Sequence, residues 1–154
     1  MTKKSAGILL YRFRNNSLQV FLVHPGGPFW KNKDLGAWTI PKGEFDEDED
    51  PLDAAQRELE EETGFAPPEK LIELIPIKQK TGKIVFAWAA EGNIDPEKIH
   101  SNTFESEWPP HSGKKQKFPE VDKANWFTIP DAKEKIIPAQ LKFLEELSTL
   151  LKEK

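Results

Sequence analysis

The segment from Gly43 to Phe65, GEFDEDEDPLDAAQRELEEETGF, constrains this chain more than any other part of it. Eleven acidic residues and one arginine lie between Glu44 and Glu62, a local charge of −10. The second half carries the punctuation of a helix. Asp50 suits the N-cap, Pro51 the first helical position with its fixed φ, and Gly64 the left-handed position just past the end. Leu52, Ala55 and Leu59 recur at spacings of three and four, a modest apolar stripe for packing. Glu58, Glu61 and Glu62, at i, i+3 and i+4, converge on one helical face. Like charges so spaced repel, and the helix dipole opposes negative charge near a C-terminus. An acidic run is most often only a solvated face. This spacing instead suits carboxylates that share a divalent cation.

The chain contains no cysteine, which removes disulfides and thiolate metal sites and leaves oxygen or imidazole ligands. Magnesium fits such a donor set, with manganese as a substitute. A calcium module of the EF-hand kind fits poorly, because DEDEDPLDAAQRE lacks the glycine at its sixth position. The net charge of −4 leaves about +6 outside the acidic segment, a remainder suited to an anionic partner. At 154 residues, with 37% hydrophobic and 31% charged residues, the expectation is one globular domain spanning 1–154. In MTKKSAGILLYRF, Tyr11 and Arg12 end the apolar run short of a signal-peptide core or a membrane span. A cytoplasmic location and no membrane partner are therefore expected.

Along the chain, AGILLYRF and LQVFLVH read as a hairpin joined by RNNS. PGGPFWKNKDLG reads as an exposed loop and AWTI as a short strand. LIELIPIKQK and KIVFAWAAEG form a second hairpin around Thr81 and Gly82. There Ile84, Phe86 and Trp88 point one way, Val85, Ala87 and Ala89 the other, and both faces are covered. Residues 93 to 122, including TFESEWPPHSGKKQKFPE, read as a long connection of the kind that carries function. ANWFTI reads as the last strand. PAQLKFLEELSTLLKEK reads as an amphipathic helix with Leu141, Leu144, Leu147 and Leu151 on its buried side. Strands mixed with two main helices predict an α/β fold, a sheet covered by helices on both faces.

Read residue by residue, Gly43 to Phe65 resembles the Nudix box, G-x5-E-x7-R-E-U-x-E-E-x-G-U with U a bulky apolar residue, at every fixed position. AGILLYRF, WTIPKGEF and PEVDKANWF resemble further segments of that family. The resemblance implies the Nudix α/β/α sandwich, with a mixed β-sheet between helices, and a magnesium-dependent hydrolase that cleaves a phosphoanhydride bond in a nucleoside diphosphate linked to another group. It implies Glu61 and Glu62 as principal metal ligands and Glu58 as either a ligand or the base that accepts the water proton. Glu49 would bind a further cation or orient the others, and Arg57 would hold the acidic cluster in shape. The Lys42 carbonyl would add a ligand. Many members take another acid from a loop well downstream, for which Glu105 and Glu107 are the candidates, with Glu91 behind them.

The partner expected is a small nucleotide, neither a nucleic-acid polymer nor a membrane. Lys42, Lys78, Lys80 and Lys83 are candidates for phosphate oxygens, Lys42 with the best placement beside the box. A base would stack on one of the loop aromatics Phe29, Trp30, Phe104 and Trp108, whereas Trp38, Trp88 and Trp126 belong to the core. His24, His100 and His111 show no ligand spacing and receive no role. PKG before the box resembles diadenosine polyphosphate hydrolases more than mutator-type 8-oxo-dGTP pyrophosphatases, which makes a dinucleoside polyphosphate the first expectation and a nucleoside triphosphate the second. A nucleotide sensor that cuts nothing is a third, disfavoured by the intact glutamates.

Overall fold

The structure is a computed structural model and describes residues 3–152. Strands β1 (Lys4–Arg14) and β2 (Ser17–Pro25) form the expected hairpin. Its two turn residues, Asn15 and Asn16, sit at φ 55° and 64°, the left-handed pair that matches the twist of a tight hairpin and that asparagine tolerates. Strand β3 (Lys42–Glu44) runs antiparallel to the start of β1 and leads into helix α1 (Pro51–Thr63). Beyond α1 come β4 (Ile72–Glu73), β5 (Ile77–Lys78) and β6 (Ile84–Glu91). Strand β6 lies parallel to β1, so the chain must cross over between them, and α1 lies in that crossover. Strand β9 (Val121–Thr128) pairs antiparallel with β2 and closes the order β4-β6-β1-β2-β9. Helices α2 (Ile129–Lys135) and α3 (Leu141–Lys152) finish the described chain.

Alternation along the strands sorts the core into two layers. Ala6, Ile8, Leu10, Phe21 and Val23 pack under Ala54, Ala55 and Leu59 of α1. Leu9, Tyr11, Val20 and Leu22 pack on the opposite face with Phe143, Leu144, Leu147 and Leu151 of α3. Both faces of β6 are covered: Val85, Ala87 and Ala89 join the α3 layer, and Trp88, with Phe86 beside it, joins the α1 layer. The result is the mixed α/β sandwich expected. Each fully buried leucine or phenylalanine here removes apolar area worth roughly 1.5–3 kcal/mol. Trp38, Trp88 and Trp126 are buried.

Some elements differ from expectation. AWTI is not a strand; Trp38 and Thr39 make only isolated bridges to Ile136 and Val23. LIELIPIKQK is split into β4 and β5, because Pro76 has no N–H to continue the ladder and Ile75 N donates instead to Glu146 at 2.9 Å. Residues 93–122 are not merely a connection. They contain a single turn of 3-10 helix at Pro96–Lys98 and a hairpin, β7 (Thr103–Glu107) with β8 (Lys115–Pro119), that forms its own two-stranded sheet. The expected last helix begins as a 3-10 turn at Pro138–Gln140, and its final residues 153 and 154 fall outside the described range. Helix α2 was not anticipated. No described helix is long and apolar enough to cross a membrane.

Candidate active site

Helix α1 is held at both ends by the residues that mark it in the sequence. The Asp50 carboxylate accepts from Leu52 N at 3.1 Å and Asp53 N at 3.3 Å, and Gly64 turns left-handed at φ 82° while its N–H reaches the Glu60 carbonyl at 2.7 Å. Other carbonyls of the last turn are satisfied from downstream. His100 N donates to Thr63 O at 2.8 Å and Asn102 N to Glu61 O at 3.0 Å. The relay continues: Glu120 N donates to Asn102 O at 2.8 Å, and Gly26 N to Glu120 O at 2.9 Å. Backbone bonds thus tie the helix end, a distant glutamate and the loop after β2 into one assembly.

Glu58 and Glu62 are buried on this helix, and Arg57 organises their neighbours. Its guanidinium grips Glu49 in a fork, Nε to Oε2 and Nη2 to Oε1 at 2.9 Å each, and gives Nη1 to Glu58 at 2.9 Å and Glu61 at 3.1 Å. Glu62 accepts from the Lys42 backbone N–H at 3.3 Å. Gly43 leaves room for the Glu58 carboxylate, since a Cβ there would lie 2.1–2.3 Å from its atoms. Among the described residues, no three acidic or histidine side chains close around one point as a finished metal cage.

The electrostatics favour a cation. Burial, then the charge of Glu61, pushes Glu58 up to about 7 against the pull of Arg57. Burial and Glu58 push Glu62 well above the carboxylate range, with Lys42 as the main opposing charge. Glu120 is raised by burial and by Glu61. Glu49, hydrogen-bonded by Arg57, is held low. Burial and Lys83 lower Lys42, despite the nearby carboxylates of Glu62, Glu44 and Glu58. Three crowded carboxylates with raised affinity for protons are a donor set that a hard divalent ion would satisfy.

Next to them opens a cavity of about 590 Å³ between the Pro25–Trp30 loop and the β7–β8 hairpin. Phe29, Trp30, Phe104 and Trp108, all four loop aromatics named from sequence, lie on its wall with Glu62 and Glu120. Two glycines let the walls meet. A Cβ on Gly26 would fall 1.9 Å from the Pro119 carbonyl oxygen, and one on Gly27, at φ 97°, 2.9 Å from the Phe104 ring. Among the described residues no lysine or arginine lines the cavity, so it favours a planar uncharged group over phosphate.

The remaining predicted residues are more dispersed. Glu105 is exposed and faces Lys117 across the hairpin. Glu107 lies on the cavity wall, but its two oxygens accept from His111 N at 2.9 Å and Gly113 N at 3.1 Å and so cap its own turn. Lys78 and Lys80 are exposed and do not line the cavity; Lys83 pairs with Glu44 at 2.9 Å. The downstream acid that reaches the box is Glu120, which the sequence reading passed over although it stands in the PEVDKANWF segment.

A family model described as the NUDIX domain matches residues 1–147. An RNA pyrophosphohydrolase from Mesorhizobium japonicum is 30% identical over 125 residues, 71% of this chain and 67% of that protein. One of the same description from Bartonella henselae is 58% identical over 38 residues, which cover 25% of this chain and only 20% of the relative. Among solved structures, a C. elegans Ap4A hydrolase binary complex superposes with TM-score 0.68 at 25% identity, covering 99% of this chain and 100% of that one. The NUDIX domain of Shewanella oneidensis NrtR complexed with ADP ribose has TM-score 0.68 at 18% identity, covering 98% and 89%, a likeness of fold.

Proposed function

The chain belongs to the Nudix family, and on that premise we propose that it is a magnesium-dependent hydrolase that splits a phosphoanhydride bond in a nucleoside diphosphate-X compound, most readily a dinucleoside polyphosphate such as diadenosine tetraphosphate. One observation carries this: the aromatic cavity opens directly onto Glu62 and Glu120. A base stacked on Phe29, Trp30, Phe104 or Trp108 would deliver its phosphates to the carboxylates. Stacking is worth about 1–3 kcal/mol per base. The full-length likeness to an Ap4A hydrolase supports the substrate class.

Glu61, Glu62, Glu58 and Glu120 would hold the ion, magnesium or manganese, as hard oxygen donors. When bound it would screen phosphate charge and acidify an attacking water. Arg57 fixes the rotamers of Glu58 and Glu61, and Glu49 fixes Arg57. Glu58, its carboxylate seated beside Gly43 and bonded by Arg57, would either complete that ligand set or serve as the base that accepts the proton of water. Lys42 orients Glu62 through its backbone N–H.

A second substrate is favoured by a specific finding: three relatives are described as RNA pyrophosphohydrolases, against the expectation that no nucleic-acid polymer is bound. A magnesium-supplemented panel of diadenosine tetraphosphate, nucleoside triphosphates and 5′-triphosphorylated oligoribonucleotide, with product identification, separates these. Fastest turnover on diadenosine tetraphosphate supports the first choice, and fastest release of pyrophosphate from the oligonucleotide replaces it. No phosphoanhydride cleavage on any member sinks the hydrolase assignment.

A further inference from the structure

His24 is fully buried at the end of β2, outside the carboxylate cluster, and makes two strong bonds. Its Nδ1 lies 2.8 Å from Asp122 Oδ1, and its Nε2 lies 2.6 Å from the Lys33 carbonyl oxygen. Each partner is an oxygen acceptor within hydrogen-bond distance of one ring nitrogen, so both ring nitrogens are engaged. Its ring also stands edge-on to Trp38, 5.2 Å between centroids.

Both partners are strategic. The β2–β9 register slips at His24 and Pro25: His24 faces Lys123 and Pro25 faces Val121, which leaves Asp122 as the extra residue of a bulge. Bulges re-aim side chains, and this one turns Asp122 to the imidazole immediately after Glu120 and Val121. The Lys33 carbonyl lies at the far end of the loop that carries Phe29 and Trp30, and Lys33 N bonds back to Trp30 O at 3.0 Å. Lys33 Nζ also stands 4.1 Å from the Phe29 ring centre. Asp34, the next residue, accepts from Trp38 Nε1 at 2.8 Å and pairs with Lys135. His24 therefore joins the strand that begins directly after Glu120 to the loop that presents the aromatic wall.

We propose that His24 is a positioning residue for the base cavity, a buried clamp between the Asp122 bulge and the Lys33 end of the aromatic loop. It rests on the proposed nucleotide-binding role of that cavity. With the clamp in place Phe29 and Trp30 are held before ligand arrives, and the ordering of that loop is not charged against binding. Without it the loop keeps its docking at Gly26 and Gly27 and the Asp34 bonds to Trp38 and Lys135, but loses the tie between the Lys33 carbonyl and the Asp122 bulge.

The test compares wild type with His24→Phe, which keeps ring bulk against Trp38 and removes both bonds, and with Asp122→Asn, which keeps an accepting oxygen. Three quantities are read: quenching of tryptophan fluorescence by adenosine and guanosine, Mn2+ affinity, and amide hydrogen exchange over residues 26–33. In His24→Phe we expect nucleoside affinity and KM for diadenosine tetraphosphate to weaken about tenfold, the scale of losing preorganisation in one short loop. Exchange over 26–33 should accelerate while Mn2+ affinity stays within about twofold, since the box glutamates sit on α1. Asp122→Asn should show the same pattern at smaller size and serves if His24→Phe does not fold. A lowered melting temperature with unchanged nucleoside binding and unchanged exchange overturns the clamp, and so does an equal loss of Mn2+ affinity. If wild type cleaves no nucleotide the proposed function fails, yet nucleoside quenching still tests the clamp. If wild type binds no nucleoside, exchange over 26–33 decides it.

Discussion

Replacing Glu58 by glutamine should stabilise the metal-free protein at neutral pH, although the residue stands at the centre of the proposed chemistry. The carboxyl is pushed from 4.5 to about 7 by burial and by Glu61. A raised carboxylate pKa means that the folded state holds the proton more tightly than the unfolded chain, so stability falls as pH climbs from about 4.5 through 7. At about 1.36 kcal/mol per pKa unit, the shift removes about 3 kcal/mol by the alkaline end of that window. Glu62 and Glu120 shift in the same direction and add to the loss. The lowered acids Asp34, Glu44 and Glu49 act below pH 4.5, and Lys42, lowered by burial, opposes the trend in wild type and variant alike, so the comparison between the two carries the test. Urea unfolding followed by tryptophan fluorescence, in EDTA from pH 5 to 7.5, should show wild type losing stability with rising pH and Glu58→Gln losing clearly less. Magnesium at a hundred times its dissociation constant should return about 2.7 kcal/mol to wild type at pH 7.5. Stability that is flat or rises across this range in EDTA, or a variant no more stable than wild type at pH 7.5, refutes the account of Glu58 as a carboxylate confined against its charge.

Glu120→Gln should lower kcat by at least about a hundredfold at saturating magnesium with native circular dichroism, and undiminished kcat would remove Glu120 from the site. Gly27→Ala forces a side chain to φ 97° and sets its Cβ 2.9 Å from Phe104, so KM should rise more than kcat falls, read in steady-state kinetics. Asp50→Ala removes the cap on α1 and should cost about 1 kcal/mol in urea unfolding while the activity of the folded fraction stays near wild type.

What was legible in the sequence was local. Asp50, Pro51 and Gly64 mark α1 because capping is settled within one turn, and the glutamate spacing fixes their shared helix in the same way. The first hairpin is legible because two adjacent asparagines supply the positive φ that its turn demands. AWTI misleads because its apolar residues are buried by the α2–α3 layer while backbone pairing stops at single bridges, Thr39 to Val23 of β2 and Trp38 to Ile136, and never extends into a ladder. The four loop aromatics could be named, yet their gathering around one cavity depends on Gly26 and Gly27 meeting Pro119 and Phe104, contacts that span most of the chain.

Glu105 and Glu107 were more visible in sequence than Glu120 because they stand in an acidic, tryptophan-bearing stretch, but strand geometry places them otherwise. In a two-stranded hairpin alternate side chains point to opposite faces. Phe104, Ser106 and Trp108 line the cavity, which turns Glu105 away toward Lys117. Glu107 lies at the cavity rim with its oxygens committed to the turn. The hairpin then returns the chain through Pro119, and the backbone bonds Glu120 N to Asn102 O and Asn102 N to Glu61 O fix the glutamate beside the helix end. A downstream acid is thus selected by the register that returns it to α1, and not by the charge density of its surroundings. Inserting one residue in β8 would exchange its two faces and break that return, while Glu105 and Glu107 would remain where they are.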